Sequence, residues 1–122
     1  MTGPVERISA VTLVVRAMAT SVAFYDSLGF ERSYGGPDDA FTSYAIGSGY
    51  LNLQAIEGPP RPGSGWGRTV FWVADVDAQH RRALEAGHHP SSAPADAPWG
   101  ERFFHLEDPD GHELSFARPL LT

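Results

Sequence analysis

Few side chains in this 122-residue chain can perform covalent chemistry. Cysteine is absent and all nine basic residues are arginine, which excludes thiolate nucleophiles, disulfides and Schiff-base lysines. Neither a Gly-x-Ser-x-Gly turn nor a Gly-x-x-x-x-Gly-Lys phosphate loop occurs. Acid–base chemistry without a metal remains open, and Glu113 is the candidate catalytic residue if the protein is an enzyme.

The charge balance restricts the partners that we expect. Fifteen acidic residues outnumber the nine arginines, and the net charge is -6. Such a surface repels phosphate backbones, so we expect no nucleic acid partner, while a neutral or cationic small molecule is easier to accommodate. No apolar run is long enough to cross a membrane, and the N-terminus is unlike a signal peptide. We therefore expect a soluble cytoplasmic protein without a membrane partner.

The elements that must position any site are predicted from hydrophobic periodicity and from turn residues. The first half contains a strand at 10–15, a helix that Thr20 or Ser21 caps and that ends near Leu28, and strands at 31–34, 42–46 and 50–56. The second half contains a strand at 69–73, a helix at 76–86, a loop rich in proline and alanine at 90–98, and strands at 102–106 and 113–117.

The two halves repeat one pattern. Val15 to Gly29 and Val73 to Gly87 both span 14 residues, and the offset between the halves is 58 residues. A duplicated βαβββ unit explains this order, and it predicts an α+β fold in which a curved mixed sheet surrounds a cavity. We predict a single domain built from module one at about 1–57, a Gly- and Pro-rich linker at 58–65, and module two at about 66–122.

Two motifs carry a family resemblance. The run from Ser21 to Phe30 (SVAFYDSLGF), together with the Asp-Pro-Asp-Gly sequence that begins at Asp108, resembles the glyoxalase/bleomycin-resistance/dioxygenase family, also called the vicinal-oxygen-chelate superfamily. The resemblance covers nearly the whole chain and implies paired βαβββ modules assembled as a homodimer. The stretch from Pro98 to Phe104 is similar to bleomycin-resistance and mitomycin-binding members, which bind an antibiotic in an aromatic cleft without altering it.

The resemblance also implies where a metal would be held. Enzymes of the superfamily bind a divalent ion through His, Glu or Gln side chains on the first and last strands of each half. Those positions fall on Ala10, Arg68, Ser115 and Asn52, or on Leu53 instead of Asn52 after a one-residue shift. None of them carries an imidazole or a carboxylate. We therefore predict a site without metal or other cofactor.

One shifted metal site remains conceivable. Residues i and i+2 of a strand share a face, which places Gln54 beside Asn52 and Glu113 beside Ser115. His105 lies on the strand predicted to pair with that of Glu113. Gln54, His105 and Glu113 could then bind a metal, whereas the simpler interpretation is a cross-strand hydrogen bond between His105 and Glu113.

The same alternation predicts which side chains line the cavity. If Arg68 faces it, so do Val70 and Trp72, and Arg68 either anchors an anion or carbonyl or pairs with Glu113. Trp66 and Trp99 lie in loops, where little hydrophobic core is available to them, and we predict that they stack on a flat ring of a ligand. The predicted ligand-binding residues are Phe41, Tyr44, Tyr50, Asn52, Trp66, Arg68, Trp72, Trp99, Arg102, Glu113 and Ser115.

The function that these observations favour is non-covalent sequestration of a small aromatic or hydrophobic ligand, such as an antibiotic, in a metal-free cleft. An alternative is an isomerase, lyase or dioxygenase of the same fold, which would use the shifted metal site or metal-free acid–base catalysis. A third hypothesis is an accessory scaffold whose cavity is vestigial.

Overall fold

The computed structural model describes residues 3–58 and 67–120. The chain divides into two compact units, Met1–Gly58 and Pro59–Thr122. The predicted linker lies outside the described residues except for Gly58, and Trp66 lies outside them as well. Among the described residues, no helix is both long and apolar enough to span a membrane.

The first unit is a four-stranded sheet with one helix. Its elements are β1 (Ala10–Val15), α1 (Met18–Ser27), β2 (Glu31–Tyr34), β3 (Phe41–Ile46) and β4 (Gly49–Ala55). The strand order is β1-β4-β3-β2, with β1 parallel to β4 and antiparallel pairing elsewhere. The predicted βαβββ order is therefore confirmed for this half of the chain.

Alternation along the strands of the first unit builds its core. Leu13 and Val15 on β1 are buried, as are Leu51 and Leu53 on β4. Successive side chains of a strand point to opposite faces, so these positions define one apolar face of the sheet. Tyr25 on α1 is fully buried as well. The opposite face is left for polar and partly exposed residues.

The beginning of α1 differs from the prediction, whereas its end does not. The helix begins at Met18 after Ala17, and no side chain caps its N-terminus, so the prediction of a Thr20 or Ser21 cap is wrong. Gly29 has a φ of 87°, a conformation that glycine adopts without steric cost, and its N–H donates to the Asp26 carbonyl.

The second unit repeats the architecture of the first. Its elements are β5 (Arg68–Trp72), α2 (Val76–Glu85), β6 (Ala95–Asp96), β7 (Glu101–Glu107) and β8 (Glu113–Pro119). The strand order is β5-β8-β7-β6, with β5 parallel to β8. The two-residue strand β6 lies within the segment predicted as a loop at 90–98, and it pairs with Phe103 and Arg102. Both units together establish the α+β class that the sequence predicts.

Aromatic packing stabilises the core of the second unit. Phe116 stacks with Phe71 and Phe104, with ring centroids 5.6 and 5.3 Å apart. The Asp75 side chain caps α2 by accepting from the Ala78 N–H at 3.0 Å. One face of this sheet is thereby closed by apolar side chains, and its other face carries the candidate site.

The Asp-Pro-Asp-Gly motif forms the turn between β7 and β8. Asp108 is buried, and its Oδ1 accepts from the backbone N–H groups of Asp110 and His112. Gly111 has a φ of 85°, which explains the glycine at this position. The motif fixes the register in which His105 on β7 meets Ser115 on β8.

Candidate functional site

The open face of the second sheet is arranged by strand pairing. Arg68 pairs with Glu113, Val70 with Ser115 and Trp72 with Ala117 in the parallel register of β5 and β8. Arg68, Val70 and Trp72 are exposed, whereas Phe71 between them is buried. The structure therefore places these three side chains on one face, together with Glu113 and Ser115, as alternation predicts.

A concave pocket of about 260 Å³ lies on this open face. Three strands and the loop before β7 contribute its walls. The lining residues are Arg68, Val70, Trp99, Glu101, Phe103, His105, Ser115 and Ala117. Of the predicted ligand-binding residues, the structure brings Arg68, Trp99 and Ser115 together here, with Glu113 in contact with Arg68.

Aromatic rings form one side of the pocket. The Trp99 indole stacks on Phe103 at a centroid distance of 5.8 Å and an interplanar angle of 26°, and Phe103 contacts the His105 ring at 5.0 Å. The Trp99 Nε1–H donates to Glu101 Oε1 at 3.0 Å, which orients the indole. Trp99 is nevertheless 70% exposed. Much of its apolar surface is thus available to a ligand.

Polar side chains form the other end of the pocket. Arg68 Nη2 lies 2.8 Å from Glu113 Oε1, and Arg68 Nη1 lies 3.4 Å from His105 Nε2. His105 Nδ1 lies 2.6 Å from the Ser115 hydroxyl. Because a guanidinium only donates hydrogen bonds, His105 Nε2 must accept, and Nδ1 then carries the proton and donates to Ser115. The four side chains form a connected network across three strands.

The electrostatics of the network match this neutral imidazole. Burial lowers the pKa of His105, the positive charge of Arg68 lowers it further, and Glu113 acts in the opposite direction. A proton on Nε2 would face the guanidinium directly. His105 is therefore held as a neutral acceptor for Arg68.

The structure corrects the predicted partner of His105. We expected a cross-strand hydrogen bond with Glu113, but His105 lies opposite Ser115, and Glu113 lies opposite Glu107. The side chain of Ser115 is within reach of the imidazole, and Arg68 takes Glu113 instead. The ion pair that the sequence offered as one role for Arg68 is thus present.

The side chains at the positions where the superfamily's enzymes bind a metal do not suit a divalent ion. Ala10 offers only a methyl group, and Arg68 places a positive charge in the pocket. Ser115 Oγ is already engaged by His105. Across residues 3–58 and 67–120, no group of three or more His, Cys, Asp or Glu side chains could hold a metal. Gln54 Nε2 donates to the Ala40 carbonyl at 3.4 Å. The shifted metal site of Gln54, His105 and Glu113 stays a prediction.

The first unit carries four predicted site residues, and three of them lie on its own open face. Asn52 Oδ1 accepts from the Ser43 hydroxyl at 2.7 Å, and Asn52 Nδ2 donates to Thr12 Oγ1 at 3.3 Å. Tyr50, two residues before Asn52, is 47% exposed. Phe41 is partly buried and contacts Tyr34, with ring centroids 6.4 Å apart. The fourth residue, Tyr44, is oriented differently.

Tyr44 is a core residue, which corrects its predicted role in ligand binding. Its side chain is fully buried, and its hydroxyl donates to Asp26 Oδ1 at 2.9 Å. Burial raises the pKa of Tyr44 far above its usual range, and the Asp26 hydrogen bond adds to the increase. The face of β3 that carries Tyr44 therefore packs on α1, and the ring cannot contact a ligand on the open face.

Arg102 also points away from the pocket. Its Nε and Nη2 donate to the two carboxylate oxygens of Asp77 at 3.0 and 2.9 Å, and Nη1 donates to Asp96 at 2.9 Å. The hydrogen bonds from Arg102 hold the pKa of Asp77 below its usual range. Since Asp77 is in the first turn of α2, Arg102 links the helix to β7. Arg102 does not line the described pocket, and its role in ligand binding stays a prediction that this geometry does not support.

Trp72 stands apart from the described pocket: it is 66% exposed on the open face but is not among the lining residues. Trp66 lies outside the described residues, and its role in ligand binding stays a prediction. Sequence reasoning did not assign Phe103, Glu101 or Ala117 to the site. Alternation from the buried Phe104 would have placed Phe103 there.

Comparison with known proteins identifies the family. The model of the Glyoxalase/Bleomycin resistance protein/Dioxygenase superfamily matches residues 7–116. The chain belongs to this superfamily. A 48-residue segment, 39% of the chain, is 44% identical to uncharacterized proteins of Mycobacterium bovis and Mycobacterium tuberculosis, and it spans 32% and 28% of their lengths.

Solved structures share the fold at low sequence identity. The bleomycin resistance determinant encoded on transposon Tn5 is 24% identical, with a TM-score of 0.75 over 95% of this chain and 100% of that one. TioX from Micromonospora sp. ML1 is 24% identical, with a TM-score of 0.74 over 94% and 100%. A glyoxalase/bleomycin resistance protein/dioxygenase from Nocardioides is 24% identical, with a TM-score of 0.71 over 98% and 87%.

Proposed function

We propose that this protein binds a small planar aromatic molecule reversibly and releases it unchanged. The observation that carries the proposal is the Trp99 indole, which is stacked on Phe103 and yet 70% exposed beside a pocket of about 260 Å³. An exposed indole in a concave site gains free energy when a flat ring covers it. Stacking contributes about 0.5–1.5 kcal/mol beyond the burial of apolar area.

At about 260 Å³ the pocket lies just below the range of about 300–1,000 Å³ that is usual for ligand sites, so we expect a small ligand. Val70, Phe103 and Ala117 supply apolar lining, and Arg68 and Ser115 supply polar groups at one end. This combination of an apolar surface with a few convergent polar groups is typical of small-molecule sites. We propose that the physiological ligand is an antibiotic, and the likeness to the Tn5 bleomycin resistance determinant supports this choice.

The side chains that could perform acid–base chemistry are already engaged with one another. Both ring nitrogens of His105 have partners, and Glu113 is paired with Arg68. His105 would first have to leave one of these contacts in order to take a proton from a ligand. This arrangement favours sequestration over turnover.

The proposal is tested by calorimetric titration with a panel of planar antibiotics, followed by mass spectrometry of the recovered ligand. We expect saturable binding of at least one compound, an unchanged ligand mass after prolonged incubation, and an affinity about tenfold lower in Trp99→Ala. Leu84→Ala, which removes an exposed side chain from α2, is the matched control and should bind as the parent does. A ligand that is converted to product, or a Trp99→Ala variant with unchanged affinity, would contradict the proposal.

We propose in addition that the protein acts in the cytoplasm as a homodimer, as its family resemblance implies. Light scattering coupled to size-exclusion chromatography tests the assembly. A homodimer has twice the 13.2 kDa mass of the chain, and the mass of a single chain would contradict this part of the proposal.

A further inference from the structure

The Arg68 guanidinium retains hydrogen-bonding capacity toward the pocket. A guanidinium has five N–H donors, and the contacts with Glu113 and His105 among the described residues engage two of them. The side chain lines the pocket and is 45% exposed. Arg68 can therefore donate to an acceptor atom of a bound ligand without giving up either contact.

The charges around the pocket disfavour an anionic acceptor. Glu113 already neutralises Arg68, and His105 is neutral because Nε2 accepts from the guanidinium. Glu101 is the other charged residue in the lining, and its carboxylate accepts from the Trp99 indole. An incoming carboxylate would meet two glutamates and a single arginine, whereas a neutral oxygen brings no further negative charge.

A ligand that uses both ends of the pocket must carry this acceptor on the ring that stacks on Trp99. Trp99 stacks on Phe103, Phe103 contacts His105, and His105 contacts Arg68, so the aromatic side of the pocket leads directly to the guanidinium. A ring that lies on Phe103 is therefore separated from Arg68 by a single side chain, that of His105.

We propose that this pocket selects neutral aryl carbonyl compounds, whose ring lies on Trp99 and Phe103 and whose carbonyl oxygen accepts a hydrogen bond from Arg68. This inference rests on the proposed binding function and names its ligand class. It also gives a physical reason for Arg68 at a position where metal-dependent relatives are expected to carry a metal-binding side chain. The guanidinium would bind the carbonyl oxygen of the small molecule directly.

Three matched naphthalenes test the proposal by calorimetry, each substituted at the same ring carbon. Naphthyl methyl ketone has a neutral carbonyl, ethylnaphthalene lacks it, and naphthoate carries a carboxylate. We expect the ketone to bind about tenfold more tightly than ethylnaphthalene, the low end of what a hydrogen bond to a charged group contributes. Naphthoate should bind more weakly than the ketone.

Variants separate the role of Arg68 from a general loss of structure. Arg68→Met, which removes every donor at this position, should lower the affinity for the ketone to that for ethylnaphthalene and leave ethylnaphthalene within about twofold of the parent. Arg81→Gln on α2 makes the same charge change outside the pocket and should alter neither affinity. Glu113→Gln leaves Arg68 without its counter-charge, and it should therefore shift the preference from the ketone toward naphthoate.

The outcomes distinguish this inference from the function on which it rests. Three outcomes would overturn the carbonyl inference while ring binding stands. They are equal affinities for the ketone and ethylnaphthalene, tightest binding of naphthoate by the parent, and an equal loss of affinity for both neutral ligands in Arg68→Met. Failure of all three naphthalenes to bind would overturn the inference and count against the proposed function too.

Discussion

Arg68 Nη2 lies 2.8 Å from Glu113 Oε1, and the two residues are direct register partners in the parallel pairing of β5 with β8. Arg68 lines the pocket, and His105 lies beside it as a neutral acceptor. An ion pair this exposed adds little to folding stability, and in the proposed function it sets the charge that a ligand meets.

The stability contribution of this ion pair can be measured directly. The side chains of Arg68 and Glu113 are 45% and 38% exposed, so solvent screens their attraction. We predict a coupling free energy below about 1 kcal/mol from a double-mutant cycle of Arg68→Gln and Glu113→Gln in urea unfolding. A coupling above about 2 kcal/mol would show that the pair is a structural element rather than a feature of the site.

Tyr44→Phe tests the assignment of Tyr44 to the core. The substitution removes a buried hydroxyl that donates to Asp26 Oδ1 at 2.9 Å, and we predict a loss of about 1–2 kcal/mol in the free energy of unfolding. Ligand affinity should stay unchanged, because the ring faces α1. The measurements are urea unfolding and calorimetric titration. A large loss of ligand affinity at unchanged stability would show that Tyr44 contacts the ligand.

Tyr44 and Arg102 also show where sequence reasoning fails. In β3 the residues Thr42, Ser43 and Tyr44 are all buried, so the polarity of the strand gives no clear phase from which to assign a face. Arg102 shares a face with the buried Phe104, and its long side chain reaches the carboxylates of Asp77 and Asp96. A charged residue on the helix-facing side could not be predicted without knowing that α2 begins nearby.

Other parts of the fold followed from local chemistry. The β-branched segment predicted the bounds of β1, and the glycine after α1 predicted the end of that helix; the structure agrees with both. Alternation along β5 also placed Arg68 and Trp72 on the face opposite Phe71, as observed. The strand β6 was missed, because two residues carry too little periodicity to predict a strand. The network from Glu113 to Ser115 depends on cross-strand register, which single-strand patterns do not give.

Acidification should destabilise the protein through its histidines. Burial and the charge of Arg68 lower the pKa of His105, and burial and His89 lower that of His88. The unfolded chain therefore takes up protons first as the pH falls, so this stability is fully present above about pH 6.5 and is lost as the pH falls through the lower folded pKa values.

Unfolding in urea at about pH 7.5 and about pH 5 measures this effect, and carboxylates titrate mostly below that range. Arg68 and Glu113 are the charged groups that act on His105, and Ser115 is its hydrogen-bond partner. We predict that the loss of stability on acidification is smaller in His105→Gln and in His88→Gln than in the parent. If both variants lose as much stability on acidification as the parent does, the two histidines are not the cause of the loss.

The most direct test of ligand binding in the pocket follows the Trp99 indole N–H by nuclear magnetic resonance. Trp99→Phe identifies its cross-peak, and naphthyl methyl ketone is the titrant. We predict that this cross-peak shifts saturably together with the backbone signals of Phe103 and His105, which line the same pocket. A titration in which these three signals stay fixed, while others move or none does, would contradict it.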